Sequence, residues 1–305
     1  MARRRRGLPV NGVLLLDKPK GLSSNHALQR ARRLFQAQKA GHTGTLDPMA
    51  TGLLPVCFGE ATKFSAHLLA ADKVYRTRVE LGAVTDTGDA EGEVVERPAV
   101  PNLAAADVEG VLESFLGEID QVPPMYSALK HEGRKLYELA REGKSIERAA
   151  RRVTVYDARL LDFEGEAFEL HVKVSKGTYV RTLAEDIGRA LGTGAHISAL
   201  RRLETGPFTG QGLLTLEALE ALPDQAAREA MLMPVDVLVA HLPRLDVDAE
   251  TAVSLAYGQV GQVDASAFDT GETARLYCGG AFLGLGAVMG PQEVAPKRLL
   301  STAAD

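Results

Sequence analysis

The chain of 305 residues is poor in cysteine and has no long apolar run. Its two thiols, Cys57 and Cys278, lie far apart and form no Cys-x-x-Cys pair, which argues against a disulfide framework and a structural zinc site. The apolar run "VLLL" at 13–16 is the length of a strand, whereas a membrane helix needs roughly 20 such residues. The basic N-terminus has no apolar segment behind it, so it does not read as a secretory signal. We therefore expect a cytoplasmic protein without a membrane segment.

Acidic residues slightly outnumber basic ones, 40 to 35, but positive charge is concentrated near the N-terminus. The net charge is -5, yet residues 1–63 carry a net +8 that includes the run Arg3 to Arg6. An acidic protein with one positive face can still hold a polyanion such as RNA. Charge alone leaves a second interpretation open, in which a solvated basic tail precedes a helix with one charged face.

Hydrophobic periodicity predicts an α+β protein with two domains. Helical spacing follows a capping Ser24 or Asn25 and ends near Gly41, and strict alternation predicts a strand over residues 73–82. From residue 236 the sequence becomes rich in glycine and short strands. We expect a large domain at 1–235, with a basic insertion around 123–152, and a small β-rich domain at 236–305.

The segment "GHTGTLDPMATG" at 41–52 contains one acid, Asp47, directly before Pro48. An aspartate before proline is a common helix start, so a structural cap is one interpretation. The segment lacks the lysine of a phosphate-binding loop, a Gly-x-Ser-x-Gly motif, a set of metal ligands and a second carboxylate. The other interpretation is a lone carboxylate that acts as a nucleophile, kept ionised by a nearby arginine.

Two further segments carry candidate residues. In "SKGTYVRTLAEDIG" a strand leads into a helix that Thr178 could cap, with Tyr179 and Arg181 in its first turn. Residues two apart do not share a helix face, so this segment could be an ordinary strand–helix joint, or Arg181 could meet an acid or a phosphate. Tyr75, on the predicted strand 73–82, could be a core residue or a platform on which a base stacks.

Six segments occur in an order that closely resembles the bacterial tRNA pseudouridine-55 synthases of the TruB family. They are "NGVLLLDKPKGLSSN", "AGHTGTLDPMATGLLPVCFGEATKF", "DKVYRTRVELGAVTDTGDAEG", "VPPMYSALKHEGRKLYELAREG", "SKGTYVRTLAEDIG" and "GAHISALRRLETGPF". The resemblance covers about residues 12–208, with a weaker match of the C-terminal part to the family's PUA-like RNA-binding domain. It implies a central mixed, largely antiparallel sheet flanked by helices, and an isomerase that converts uridine 55 in the T loop of tRNA.

The resemblance also implies roles for individual residues. Asp47 matches the family's nucleophile, Arg181 the arginine that pairs with it and lowers its pKa, and Tyr75 the tyrosine that stacks on the base. The remaining matches are the pocket residues Tyr179 and Leu200, the residue His42 that fills the space left by the flipped nucleotide, and the RNA-binding cations Lys18, Lys130, Arg134, Lys135 and Arg141.

The implied partner is the T stem-loop of tRNA, bound by a monomer that needs neither a metal nor a small-molecule cofactor. Base flipping costs a few kcal/mol, which a replacement stacking partner reduces. One alternative is an RNA-binding or tRNA-folding protein whose isomerase chemistry is secondary. A glycoside hydrolase is disfavoured because the second carboxylate is missing.

Overall fold

The computed structural model describes residues 7–301, so the run Arg3 to Arg6 lies outside the described residues. The helices are α1 (Ser24–Leu34), α2 (Ser65–Leu69), α3 (Ala105–Ser114), α4 (Leu136–Arg141), α5 (Val180–Ala190), α6 (Leu216–Glu220), α7 (Gln225–Glu229) and α8 (Ala249–Ala256), with short 3-10 turns at Gly59–Lys63 and Val235–Val239. The strands of the first part are β1 (Gly12–Lys18), β2 (Ala40–His42), β3 (Thr51–Phe58), β4 (Lys73–Leu81), β5 (Val84–Thr85), β6 (Val94–Glu96), β7 (Gly117–Gln121), β8 (Lys130–His131), β9 (Arg134–Lys135), β10 (Arg151–Phe163), β11 (Ala167–Val174) and β12 (Ala195–Thr205). Those of the second part are β13 (Arg244–Asp246), β14 (Gly261–Gln262), β15 (Thr273–Cys278), β16 (Ala281–Gly290) and β17 (Glu293–Leu299).

The central sheet has eight strands in the order β1-β3-β12-β4-β11-β10-β7, with β2 added to β3. All its pairings are antiparallel except the short parallel contact between β12 and β3. Helix α5 packs on β12, and α3 packs on β10. The predicted mixed, largely antiparallel sheet with flanking helices is confirmed.

Strand β4 lies in the middle of this sheet, between β11 and β12. From Tyr75 onward every second side chain is buried, as the alternation predicted, because one face packs into the core. Tyr75 lies opposite Val172 of β11 and Arg202 of β12. Lys73 lies on the same face as Tyr75, two residues before it along the strand. This face carries several side chains of the candidate site.

Helix α1 is shorter than the sequence predicted, and a different serine caps it. The side chain of Ser23, not Ser24, accepts a hydrogen bond from the N–H of His26. The helix ends at Leu34, and Gln36 then has a φ of 49°, a left-handed conformation that no helix can continue. Ser24 is thereby placed in the first helical turn with its side chain buried.

A second, five-stranded sheet forms the C-terminal part in the order β13-β15-β16-β17-β14. Its own apolar cluster includes Leu245, Leu276 and Val288. Leu285 of β16 instead packs into a cluster with Leu53 and Phe64 of the first part. The expected β-rich C-terminal domain is confirmed, whereas the boundary after residue 235 stays a prediction. Among residues 7–301, no helix is long and apolar enough to cross a membrane.

Candidate active site

Asp47 begins a tight turn in the loop between β2 and β3. Its carbonyl accepts a hydrogen bond from the N–H of Ala50 at 3.1 Å, with Pro48 at the second position of the turn, where proline is favoured. No helix follows, so the interpretation of Asp47 as a helix cap is wrong. Its side chain, 36% exposed, is left free to face the neighbouring cavity.

Arg181 is the partner of Asp47. Its Nε lies 3.1 Å from Asp47 Oδ2, and its side chain is only 5% exposed. The other guanidinium nitrogens donate to the carbonyls of Thr87 at 2.7 Å and Tyr126 at 2.8 Å. Nη1 also lies 3.5 Å from the buried carboxylate of Asp89. Because all three nitrogens have partners, the guanidinium is fixed in position beside Asp47.

The sequence interpretation missed the loop that holds Arg181 from behind. The segment "TDTGDAEG" at 85–92 belonged to the family resemblance, yet none of its residues was assigned a role. It supplies the carbonyl of Thr87 and the carboxylate of Asp89. Gly88 between them has a φ of 73° and lies so close to α5 that an added Cβ would meet Glu185 and Arg181. The sequence did contain a signal for this loop, because a glycine followed by an acid, Gly88 and Asp89, lies within a segment that resembles the family.

Tyr179 reaches the same cavity as Arg181 because it precedes the helix. It is the N-cap residue of α5 and has extended backbone angles, φ −100° and ψ 110°, so the helical spacing rule does not apply to it. Thr178, the predicted cap, instead donates its hydroxyl hydrogen bond to the carbonyl of Ser175. The amide of Gln121 accepts from the N–H of Tyr179 at 2.7 Å and donates to its carbonyl at 3.1 Å. Gln121 thus fixes the backbone from which Tyr179 projects.

These side chains line one cavity of about 330 Å³. Asp47, Tyr75, Tyr179, Arg181 and Leu200 all contribute to its wall, as the resemblance implied for a pocket that takes a base. The cavity therefore joins an aromatic ring, an apolar side chain and an acid–arginine pair. Such a set can stack a planar ring while a carboxylate faces the atom attached to it.

His42 and Lys18 do not line this cavity. His42 lies on β2, and its buried Nδ1 has no hydrogen-bond partner among the described residues. Burial, followed by the charge of Arg202, lowers the pKa of His42, so the ring is uncharged near neutral pH. Its expected role in filling the space of a flipped nucleotide stays a prediction.

Lys18 has no exposed surface, which corrects the expectation that it contacts RNA directly. Its ammonium donates to the carbonyls of Pro19 at 2.9 Å, Leu22 at 2.5 Å and Pro48 at 3.3 Å. Burial lowers its pKa to about 8, although the charge of Asp47 acts in the opposite direction. Lys18 therefore stabilises the loop of Asp47 through its hydrogen bond to the carbonyl of Pro48.

Ser24 holds the other side of this loop. Its hydroxyl donates to the carbonyl of Leu46 at 2.9 Å and accepts from the N–H of Leu46 at 2.7 Å. Both Ser24 and Leu46 are buried. The residue directly before Asp47 is thus fastened to the start of α1. A single serine next to the true cap gave no signal of this in the sequence.

The pKa of Asp47 is raised above that of an ordinary aspartate. Partial burial among the residues that line the cavity is the main cause, and the neighbouring charge of Asp89 adds to it. The charges of Arg181 and Lys18 act in the opposite direction but do not overcome the burial. The charge of Arg181 therefore acts on the pKa of Asp47 in the expected direction, in favour of the ionised carboxylate.

The basic insertion is a surface feature built from the β8–β9 hairpin and α4. Lys130, Arg134 and Arg141 are exposed, and Lys135 is half-buried. Arg134 pairs with Glu142, while Lys135 and Arg141 lie over the ring of Tyr137. These cations are accessible, but their predicted contact with RNA stays a prediction. Among residues 7–301 there is no group of three or more side chains that could hold a metal ion.

Comparison with known families identifies the class of enzyme. Residues 32–180 match the family described as "TruB family pseudouridylate synthase (N terminal domain)". Residues 181–240 match "tRNA pseudouridylate synthase B C-terminal domain", and residues 243–300 match "Pseudouridine synthase II TruB, C-terminal". Together these matches extend from residue 32 to residue 300, apart from 241–242, and define the class as pseudouridylate synthases.

Relatives that match over nearly their whole length identify the family within this class. A protein of Chromohalobacter salexigens named tRNA pseudouridine synthase B is 66% identical over 303 residues, covering 99% of this chain and 98% of that protein. A protein of the same name from Azoarcus sp. is 55% identical over 293 residues, covering 96% of each chain. The chain belongs to the TruB family. In a solved structure, "Crystal Structure of a Cbf5-Nop10-Gar1 Complex", one chain is similar with a TM-score of 0.72 and 26% identity, over 98% of this chain and 90% of that one.

Proposed function

We propose that this protein is an isomerase that converts uridine 55 in the T loop of tRNA to pseudouridine. The observation that carries the proposal is the Asp47–Arg181 pair beside Tyr75 in one cavity. Family membership supports the reaction class, and the names of the relatives support tRNA as the substrate. Position 55 rests on the resemblance of the sequence segments.

In the proposed reaction the target nucleotide swings out of its stack and places its base on Tyr75. The bond between C1′ and N1 breaks, the base turns while held by Tyr179 and Leu200, and a bond forms between C1′ and C5. The proton on C5 is lost to solvent and N1 gains a proton, so the reaction is balanced without a co-reactant. Asp47 is the nucleophile that assists cleavage of the bond between C1′ and N1. It acts by attack at C1′ or by another covalent or proton-transfer route, and Arg181 holds its carboxylate in place.

RNA docking in this proposal uses the surface around the cavity. The exposed cations of the insertion, Lys130, Arg134 and Arg141, suit a phosphate backbone, and the half-buried Lys135 lies beside them. The C-terminal domain, assigned in sequence to residues 236–305, acts as a PUA-like RNA-binding domain after the catalytic domain 1–235. His42 fills the gap in the loop stack when the uridine leaves it. The enzyme acts in the cytoplasm as a monomer.

Tritium release from a T stem-loop labelled at C5 of uridine tests this function. The wild-type protein is expected to release tritium, whereas Asp47→Asn, which keeps the size of the side chain, is expected to release none. A second transcript with cytidine at position 55 and labelled uridines elsewhere tests the position. Release from that transcript at the normal rate would refute position 55, and full release by Asp47→Asn would refute the role of the carboxylate.

The alternative of an RNA-binding or tRNA-folding protein predicts a different pattern. In that case Asp47→Asn would bind the stem-loop and fulfil the cellular role of the protein without any turnover. A growth competition between cells that carry the wild type and cells that carry Asp47→Asn separates the two functions.

A further inference from the structure

Two cations, Lys73 and Arg202, line the same cavity as the Asp47–Arg181 pair. They come from neighbouring strands, since β4 and β12 pair so that Arg202 lies opposite Tyr75, and Lys73 lies two residues before Tyr75. Both side chains are therefore on the sheet face that carries Tyr75. The wall of the cavity thus combines the ring of Tyr75 with two positive charges.

Arg202 is 1% exposed and is only partly used by the protein itself. Its Nε donates to the carbonyl of Leu53 at 2.7 Å, and its Nη2 donates to the carbonyl of Gly44 at 3.2 Å. Its Nη1 makes no hydrogen bond within residues 7–301. A Cβ added at Gly44 would lie 3.3 Å from Nη1, so this glycine leaves the approach to Nη1 open.

The neighbouring Arg201 shows how the chain treats an arginine with a structural role. Arg201 forms a two-pronged pair with Asp17, at 3.0 and 2.8 Å. Arg202, although far more buried, forms no ion pair with a carboxylate in the described part of the chain. A buried charge normally has a partner of opposite sign, because desolvation of an unpaired charge is costly.

Lys73 is the second unpaired cation. It is 8% exposed and donates to the carbonyls of Leu69 and Ala71. An ammonium has three N–H donors, so one remains for a ligand. Burial and then the charge of Arg202 lower the pKa of Lys73 to about 8, although the charge of Asp72 acts in the opposite direction. Lys18, the other buried lysine nearby, is outside the cavity wall and its donors are fully used.

We propose that Lys73 and Arg202 form a subsite for the phosphodiester that adjoins the flipped nucleotide. This inference rests on the proposed function, because it presumes that the base lies on Tyr75 and the sugar faces Asp47. A nucleotide held in that way carries a phosphate on each side of its sugar. The two cations and the open donor on each provide the charge and the hydrogen bonds that a phosphate needs.

The test combines a change in the protein with a change in the RNA. Stem-loops are made with one uncharged methylphosphonate, either 5′ or 3′ of the target uridine, and their dissociation constants are compared with that of the unmodified RNA. Asp47→Asn serves as the host for binding, since its RNA is not converted. In this host, Lys73→Gln is expected to weaken binding of the unmodified RNA by about tenfold, the effect of one charge-assisted hydrogen bond. It is also expected to reduce the slope of log affinity against log salt by about one.

The decisive result is the coupling between the two changes. Lys73→Gln should have no effect on the RNA whose methylphosphonate occupies the subsite, and its full effect on the other one. Lys173→Gln is the matched control, because Lys173 is an exposed cation of the adjacent strand β11 that does not line the cavity. Its loss of affinity, whatever its size, should be equal for all three RNAs. Equal losses for Lys73→Gln on all three would overturn the inference.

Arg202→Lys and Arg202→Gln form a second pair, checked for folding by thermal melting. The lysine variant should retain most of the affinity for the unmodified RNA, and the glutamine variant should lose it with the same coupling. Tritium release by the wild type is measured in parallel. If tritium is released but no coupling is found, the subsite alone is refuted; if coupling is found without tritium release, the proposed reaction alone fails.

Discussion

Ser24→Ala should damage catalysis through the loop of Asp47 although Ser24 does not line the cavity. The substitution removes the hydroxyl that makes two hydrogen bonds to the backbone of Leu46. A buried N–H and a buried carbonyl lose their partner, at about 1–3 kcal/mol for each group left unpaired. Two such groups would cost about 2–6 kcal/mol, and relaxation of the loop reduces the upper end of this range. We therefore expect the free energy of unfolding to fall by about 2–4 kcal/mol, with part of the loss confined to the loop.

Local loosening misplaces Asp47 relative to Arg181, so kcat should fall by about ten- to a hundredfold, because small errors in position are costly in catalysis. The assay is tritium release under saturating RNA, with thermal melting of the same samples. Ser23→Ala is the matched control: it removes the cap of the same helix, at about 1 kcal/mol, without touching the loop. Its melting temperature should fall while its kcat stays near that of the wild type. If Ser24→Ala keeps wild-type kcat, or if Ser23→Ala loses as much, the reasoning is refuted.

Two predictions concern pH. The acid limb of kcat/KM should lie at higher pH than an ordinary aspartate would give, since burial raises the pKa of Asp47. Arg181→Gln should move this limb to still higher pH because the opposing cation is removed, and a shift to lower pH would contradict this. Lys18 has a pKa of about 8 when folded and about 10.4 when unfolded, so between these values the unfolded chain holds more protons and the free energy of unfolding rises with pH. Denaturant titrations should show this slope reduced in Lys18→Met by up to about 1.4 kcal/mol per pH unit, and an unchanged slope would contradict the burial of a titrating Lys18.

The sheet face of β4 could be predicted because one local rule decides it. Alternation from Tyr75 to Leu81 follows from the two-residue period of a strand that is buried on one face. The end of α1 could not be predicted in the same way, since residues 36–40 hold no glycine or proline before Gly41 while the backbone already turns at Gln36. The boundary of a helix or strand depends on such single residues, whereas the existence of the helix or strand depends on many residues together.

The candidate site could be predicted only where a residue belongs to a recognisable segment. Asp47, Tyr75 and Arg181 were found by resemblance, and the structure brings them to one cavity. Residues that act on the backbone of others, such as Ser24 and Gln121, carry no chemical signature of their own in the sequence. Their role depends on long-range packing, between residues 22 and 58 positions apart, that no local pattern reports.

The surroundings of Arg181 limit what this residue can do for the substrate. Its guanidinium is shared between two carbonyls and two carboxylates, those of Asp47 and Asp89, and it is almost fully buried. An arginine held in this way orients a carboxylate, but it has little capacity left to bind a phosphate. The neutral His42 adds no charge, and Lys18 is committed to the loop. If the proposed function holds, the negative backbone of the flipped nucleotide needs a charge partner elsewhere in the cavity, and the open donors of Lys73 and Arg202 are the part of the site that we propose the RNA completes.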